Sequence, residues 1–259
     1  MGLHRFCRKR LPIRSEPSIM PGLMAYLGIH TATSQTSLTL LYEGKLFTET
    51  FQRRSSETDN LIITIDTLCQ RAGMDFRDLA AIAVTTGPGH YLGIRVGVTT
   101  ASMLREALQK PVYGVPTLDA LLPTAAEGVY LSLLPARKGH WHACLLRVLW
   151  QPAAGLDMSA SSAMLGTGWG YSTLTNSFVI AEAALGKTLG RFHAPITVCG
   201  EIPLSGFDID ETLLAKQKLM VRYVPTQVDT GRLAHLAKHR CDAGDSGGVL
   251  VPYYGYDAV

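Results

Sequence analysis

Residues 79–109 read LAAIAVTTGPGHYLGIRVGVTTASMLREALQ, and this stretch decides the fold. It begins as an apolar strand, turns at Gly87-Pro88-Gly89 and continues as a helix that itself carries glycines. In that helix Gly93, Gly97 and Ala101 are four residues apart, so all three lie on one face. A glycine inside a helix costs about 1 kcal/mol relative to alanine, so this stripe indicates that another backbone comes unusually close.

Apolar side chains edge this small-residue face and make it a predicted docking surface for a second helix. The flanking residues are Val96, Met103, Leu104 and Leu108. The pattern leaves open whether the second helix belongs to this chain or to a partner.

Composition predicts a two-lobed protein without a broad nucleic-acid surface. The chain has 259 residues, 47% of them hydrophobic, which is enough for one large or two small domains. The formal charge of +3 arises at the start, because residues 1–14 hold five basic and no acidic side chains. The remainder carries 19 basic and 21 acidic side chains, whereas binding to phosphates needs clustered positive charge.

Cysteine usage and hydropathy indicate a cytoplasmic protein without a membrane partner. The five cysteines are widely scattered and form no C-x-x-C pair, so neither a disulfide framework nor a zinc site is predicted. No apolar run approaches the roughly 18 residues needed to span a bilayer. The basic residues 1–24 are expected to be a disordered extension or a misassigned start, with Met20 or Met24 as the true beginning; a transit-like or nucleic-acid-binding arm is the alternative.

The first half of the chain predicts one ribonuclease H-like lobe, over residues 25–125. Three antiparallel strands are followed by helix, strand, helix, strand and helix, an order typical of a layered α/β sheet. The predicted strands are 26–31, 37–42, 45–51, 79–86 and 112–115, and the helices flanking the glycine-bearing one are 58–72 and 117–122. The helix 58–72 also carries Ile62 and Ile63 away from its main apolar stripe, which indicates that it is covered on two sides.

The second half predicts a smaller, diverged lobe over residues 126–259. Strands are predicted at 129–134, 141–150, 196–199, 220–224 and 249–254, a long loop at 151–176 and a helix at 230–239. Two sequential copies of one α/β unit are the layout of the actin-like ATPase superfamily, which places a nucleotide between its lobes.

A vestigial nucleotide site is the next candidate, formed by His30, Thr31, Gly87 and Gly89. The glycine turn offers backbone N–H groups at a helix start, although turns that only reverse a strand into a helix are commoner. His30 ends the first strand, where actin-like kinases and ATPases present a magnesium-binding aspartate. Because neutral imidazole is a poor magnesium ligand, this substitution weighs against phosphoryl transfer, and no cofactor or metal is predicted; ATP is kept as a doubtful alternative.

Other motifs favour structural roles. Residues 244–248 (GDSGG) resemble a serine protease loop, but too few residues follow, so a turn before a last strand is favoured. His140 and His142 lie on one side of a strand without a third ligand, which favours an exposed edge over a metal site. Residues 166–170 favour a loop. Tyr253, Tyr254 and Tyr256 favour an anchoring strand, with stacking on a base left open.

The run 86–98 (TGPGHYLGIRVGV), with Ala101 beyond it, closely resembles the signature of the TsaB family, also called YeaZ. This family is the dimerisation subunit of the bacterial complex that adds threonylcarbamoyl to the adenosine beside the tRNA anticodon. Residues 115–121 (VPTLDAL), 136–139 (ARKG) and 252–254 (PYY) extend the resemblance, which covers roughly residues 25–254 and is strong to about residue 122.

The resemblance implies an actin-like fold without transferase chemistry of its own. In the family, the first two helices form a bundle with those of TsaD, the catalytic paralogue, and the ATPase TsaE docks on the pair. The partner interface implied here comprises Leu61, Ile65, Leu68, Gly93, Gly97, Ala101 and Leu104. The sequence leaves open whether the chain also pairs with itself when alone. The tRNA is expected to be met through the complex, with direct contact left open.

The sequence departs from the family pattern at four places. The family has Asp where His30 stands, a His near Ser56, an Asp at Pro135 and an Arg near Tyr256. These differences argue against a working nucleotide site and leave the docking face unchanged. The main hypothesis is therefore a non-catalytic partner of TsaD, and the competing hypothesis is an independent actin-like kinase or ATPase.

Overall fold

The computed structural model describes residues 24–52, 61–123, 126–150, 169–192, 194–207 and 220–254. Four predictions concern residues outside these ranges and stay predictions: the extension at 1–24 except for Met24, the position near Ser56, residues 151–168 of the loop predicted at 151–176, and Tyr256. No helix in these ranges combines the length and the apolar character that crossing a bilayer requires.

A five-stranded sheet forms the centre of the first lobe, in the order β3-β2-β1-β4-β5. Its strands are β1 (Ala25–His30), β2 (Gln35–Tyr42), β3 (Lys45–Gln52), β4 (Leu79–Gly87) and β5 (Val112–Pro116). The first three pair antiparallel, whereas β1, β4 and β5 run parallel. Glu43 and Gly44 both take positive φ values, of 51° and 72°, as a tight hairpin turn requires. The predicted meander is confirmed.

Helices cover both faces of this first sheet. On one face α1 (Leu61–Ala72) and α2 (Tyr91–Leu108) share a buried core with strands β1, β2 and β4. The short α3 (Thr117–Ala120) follows β5. On the opposite face lies α5 (Thr230–Asp242), which comes from the far end of the chain and packs on β1, β2 and β4. The helix predicted at 230–239 therefore belongs spatially to the first lobe.

A six-stranded sheet forms the second lobe, in the order β11-β10-β6-β7-β8, with β9 paired to β7. Its strands are β6 (Gly128–Pro135), β7 (His140–Trp150), β8 (Trp169–Thr173), β9 (Phe178–Ala181), β10 (Ile196–Gly200) and β11 (Val221–Pro225). The apolar side of α4 (Glu182–Leu189) packs on this sheet through Leu185 and Leu189. The two sheets and the helices that cover them confirm the predicted two-lobed α/β fold of the ribonuclease H-like, actin-like class.

Two parts of the second-half prediction are wrong. Strand β8 lies inside the segment predicted as a loop, and β9 and α4 were not predicted. Residues 249–254 do not form a strand. The backbone bonds that tie this C-terminal segment to the first sheet run from Gly248 N to Val112 O (3.4 Å) and from Tyr253 N to Thr86 O (2.8 Å). Pro252 between them has no N–H to donate, so a continuous ladder is interrupted there.

Gly28 in β1 permits the close approach of α5. A Cβ at this position would lie 2.2 Å from Thr230 O and 3.0 Å from both Ala234 N and Leu233 Cβ. The first residue of the helix is held by two hydroxyls of β2, because Thr230 Oγ1 bonds to Ser37 Oγ (2.9 Å) and to Thr39 Oγ1 (2.6 Å).

Gly28→Ala is expected to lower the free energy of unfolding by about 1–3 kcal/mol, since α5 must shift to admit the methyl group. Urea denaturation followed by circular dichroism measures this change. Gly248→Ala is the matched control, because a Cβ there meets nothing within 4 Å. Equal midpoints for the Gly28 variant and the wild type would contradict the packing described.

Candidate functional site

The glycine-bearing face of α2 points into its own lobe. A Cβ on Gly97 would lie 2.3 Å from Thr31 Oγ1, and the same hydroxyl donates a hydrogen bond to Gly93 O at 2.7 Å. The group that the stripe admits is therefore the side chain of Thr31, directly after β1 in the same chain. In the isolated chain this face is occupied, so it does not offer an open surface to the predicted partner helix.

The remaining predicted interface residues are equally buried. Leu61, Ile65 and Leu68 of α1, and Ala101 and Leu104 of α2, are at most 2% exposed and pack against the first sheet. All seven residues of the predicted interface, Gly93 and Gly97 among them, thus form the contact between the two helices and their own sheet. A Gly97→Leu variant would therefore be a poor test of docking, because the leucine would also disrupt this core.

Apolar side chains also occur on the opposite, outward side of both helices. Ile62 and Ile63 of α1 are 39% and 64% exposed, and Leu92 and Met103 of α2 are 60% and 50% exposed. Leu92, Val96 and Met103 follow the helical period, and their stripe is about 16 Å long at 1.5 Å per residue. We call these five residues the outer helical face. Because α1 and α2 lie on the same side of one sheet, the face is a surface shared by both helices.

His30 is held as a neutral side chain between threonines. It is 2% exposed, and its Nδ1 and Nε2 lie 2.9 Å from Thr85 Oγ1 and 2.7 Å from Thr33 Oγ1. Thr33 Oγ1 donates to Gln35 O, so it accepts from His30 Nε2–H, and Nδ1 accepts from Thr85. Burial lowers the pKa of His30 to about 3. With both ring nitrogens engaged, this residue does not fit a magnesium site.

The glycine turn is filled by other parts of the chain. A Cβ on Gly87 would lie 1.8 Å from Tyr253 O, and a Cβ on Gly89 would lie 2.1 Å from Ala32 O. The N–H of Gly87 donates to Thr117 Oγ1 at 3.1 Å, and the N–H of His90 donates to Ala32 O at 2.7 Å. Thr31, the fourth residue of the predicted site, is turned toward α2. The four residues come together in space but do not offer a phosphate cradle.

A pocket between the lobes offers no cation for a nucleotide among the described residues that line it. A pocket of about 200 Å³ is lined from both lobes, by residues that include Thr86, Asp119 and Cys144, together with Tyr253. Asp119 is the charged side chain of that lining, which contains no lysine or arginine. Phosphate groups are bound by arginine, lysine, metal ions or free backbone N–H groups, so magnesium ATP does not fit this donor set.

The other singled-out motifs have structural positions. Residues 244–248 form a turn, in which Asp245 Oδ1 accepts from Gly247 N at 2.8 Å and its carboxylate pairs with Arg240. His142 is buried and His140 is half-exposed, and no group of three metal-binding side chains occurs among the described residues. Tyr254 packs against Tyr91 with ring centroids 4.8 Å apart, which anchors the C-terminal segment without a strand. Residues 166–168 lie outside the described ranges, and Gly170 belongs to β8.

A family model described as TsaD, tRNA N6-adenosine threonylcarbamoyltransferase, matches residues 49–197, more than half of the chain. The chain belongs to this family. Within it, curated relatives and solved structures named TsaB or YeaZ confirm the resemblance seen in the sequence.

The curated relatives match part of the chain. The tRNA threonylcarbamoyladenosine biosynthesis protein TsaB of Bacillus subtilis is 29% identical over 120 residues, which are 45% of this chain and 52% of that protein. The tRNA N6-adenosine threonylcarbamoyltransferase of a Jannaschia species is 35% identical over 118 residues, 45% of this chain and 32% of that protein. The chain therefore spans about half of its TsaB relative and about a third of the transferase.

Similarity of fold extends much further than similarity of sequence. YeaZ from Pseudomonas aeruginosa superposes with a TM-score of 0.62 over 89% of this chain and 99% of that protein, at 19% identity. This likeness establishes that the fold continues through the second lobe, where the sequence resemblance is thin.

Proposed function

We propose that this chain is a non-catalytic partner subunit in threonylcarbamoylation of tRNA, and that it pairs with a TsaD-type transferase through the outer helical face. The observation that carries the proposal is the set of large apolar side chains on the outward side of both helices. Leu92 and Met103 of α2 and Ile62 and Ile63 of α1 are exposed, and Val96 is half-buried. Large apolar side chains exposed on one side of a protein are typical of a protein–protein interface.

The groups that could bind a magnesium nucleotide between the lobes are already engaged or replaced, which supports a non-catalytic role. His30 replaces the metal-binding aspartate, and the N–H groups of Gly87 and His90 are already bonded within the chain. The competing function, an independent kinase or ATPase, needs these groups for magnesium and phosphate. The chain would therefore act by holding the transferase in an active conformation, with the ATPase TsaE joining the pair and the same face allowing self-pairing when the chain is alone.

The test combines this chain with the TsaD-type transferase of the same genome, each purified separately. Sedimentation velocity is expected to detect a one-to-one complex, and threonylcarbamoyl transfer to tRNA by the transferase is expected to rise when the chain and TsaE are added. The chain alone is expected to transfer nothing. A mixture that stays monomeric at micromolar concentration would refute pairing, and transfer by the isolated chain would refute the non-catalytic role.

A thermal shift experiment distinguishes the proposed partner role from the competing kinase or ATPase function. A nucleotide that binds the folded state at one hundred times its dissociation constant stabilises it by about 2.7 kcal/mol, which gives a clear rise in Tm. We expect millimolar magnesium ATP to leave the Tm unchanged. A rise that disappears when magnesium is withheld would favour the kinase or ATPase.

A further inference from the structure

The turn between β6 and β7 presents two cations on a fixed backbone. Arg137 and Lys138 are exposed at its tip, and Gly139 completes the turn with φ 69°. His140 Nδ1 donates to Lys138 O (3.1 Å) while His140 Nε2 accepts from Arg137 Nη2 (3.3 Å), so one tautomer satisfies both bonds. Backbone bonds from Ala136 N to His140 O and from His140 N to Arg137 O close the turn. The guanidinium is therefore presented in a defined orientation.

Helix α4 continues this positive surface. Its first residue is tied to the turn, because Glu182 N donates to Gly139 O at 2.9 Å. Lys187 and Arg191 are both exposed and stand four positions apart. Lys187 lies in α4, about 7 Å beyond Glu182 at 1.5 Å per residue, and Arg191 lies two residues past the end of the helix. We call Arg137, Lys138, Lys187 and Arg191 the basic track.

The basic track carries a positive balance. Glu182, at the start of α4, accepts a hydrogen bond from Trp141 Nε1 at 3.1 Å. Within the described residues, no carboxylate lies within 4.0 Å of the four cations, whereas Arg71, Lys238 and Arg240 are each paired with one. Four cations without a carboxylate partner form a local positive surface on a chain whose body is balanced.

We propose that the basic track contacts the phosphate backbone of the tRNA substrate directly. This inference rests on the proposed function, which makes a tRNA the macromolecule that reaches this protein. Exposed arginine and lysine in one stretch neutralise successive phosphates, and arginine also forms paired hydrogen bonds with phosphate oxygens. The turn and helix are prearranged by their own hydrogen bonds, so little ordering is needed on binding. The contact sets the register of the tRNA and reads no base.

Filter binding of an unmodified tRNA transcript to the full chain, alone and at several salt concentrations, tests the track. Replacing Arg137, Lys138, Lys187 and Arg191 together by glutamine is expected to weaken binding about tenfold or more near 0.1 M salt, and to reduce the slope of log K against log salt by about 2 to 3, at roughly 0.7 per phosphate contact. Ultraviolet cross-linking with peptide mapping is expected to place wild-type cross-links within residues 136–142 and 182–192.

The matched control replaces four exposed or half-exposed cations elsewhere, Lys45, Arg77, Lys110 and Arg222, by glutamine. Both variants and the wild type carry the same basic start, so it cancels in the comparison. Equal losses in the two variants, wild-type affinity in the track variant or no tRNA binding by the wild type would overturn the proposal. Because the chain is measured alone, a failure to pair with the transferase leaves this result interpretable.

Discussion

Replacing Leu92 and Met103 together by aspartate is expected to abolish pairing with the TsaD-type transferase. Both side chains are at least half exposed in the isolated chain, so the variant keeps its core and its Tm. In a buried helical interface the two carboxylates would lose hydration without gaining partners. We expect the dissociation constant to rise at least about a hundredfold, which corresponds to about 2.7 kcal/mol. Isothermal titration with the purified transferase measures this change.

The control for this experiment places the same charges on apolar side chains far from α1 and α2. Leu204 and Met220, both in the second lobe, are 93% and 74% exposed, and their replacement by aspartate is expected to leave pairing at the wild-type affinity. A loss of equal size in this control would indicate a general effect of charge. Undiminished pairing by the Leu92 and Met103 variant would remove the outer helical face from the proposed function.

The glycine stripe illustrates what sequence periodicity decides and what it leaves open. Gly93, Gly97 and Ala101 predicted that another backbone comes close to α2, whereas the group that contacts Gly97 is the side chain of Thr31 in the same chain. Periodicity does not identify the neighbouring group, and the wider apolar stripe of an α/β helix faces its own sheet. Ile62 and Ile63 gave the better signal for an exposed apolar surface, because these residues are apolar and lie off the main stripe of α1.

The first lobe was predictable because each of its elements has strong local signals. Strands β1 and β4 are mostly apolar and almost entirely buried, and Glu43-Gly44 marks the hairpin turn. In the second lobe these signals weaken, since β8 and β9 are only five and four residues long and β8 contains glycine and polar residues. Their place is set by pairing with β7, which is a long-range contact that local propensity does not encode.

The candidate nucleotide site shows a similar division. The residue type at His30 argues against magnesium, and in the fold the neutral imidazole has both nitrogens bonded. That the C-terminal segment fills the glycine turn was not predictable, since Gly87 and Tyr253 are far apart in sequence. The basic track was equally hidden, because Arg137 and Lys187 are joined only through the bond between the β6–β7 turn and α4.

His30 is expected to make the stability of this protein fall steeply in acid. Its pKa is about 3 in the folded chain, against about 6.5 for an exposed histidine. Between these values the unfolded state binds one more proton, so the free energy of unfolding falls as pH decreases. The contribution is fully present above pH 6.5 and is lost at about 1.4 kcal/mol per pH unit, which amounts to about 4 to 5 kcal/mol by pH 3.

His30→Gln isolates this effect, since glutamine keeps one donor and one acceptor for Thr33 and Thr85 and does not titrate. Urea denaturation at pH 7.5, where the proton linkage contributes nothing, gives the reference difference between variant and wild type. At pH 4.5 that difference is expected to have shifted in favour of the variant by about 2 to 3 kcal/mol. Both proteins are expected to lose some stability in acid, because burial also lowers the pKa of His142, which is present in each of them. If the two profiles stay parallel from pH 7.5 to pH 4.5, His30 is not buried in its neutral form, and the argument that excludes a metal at the end of β1 fails with it.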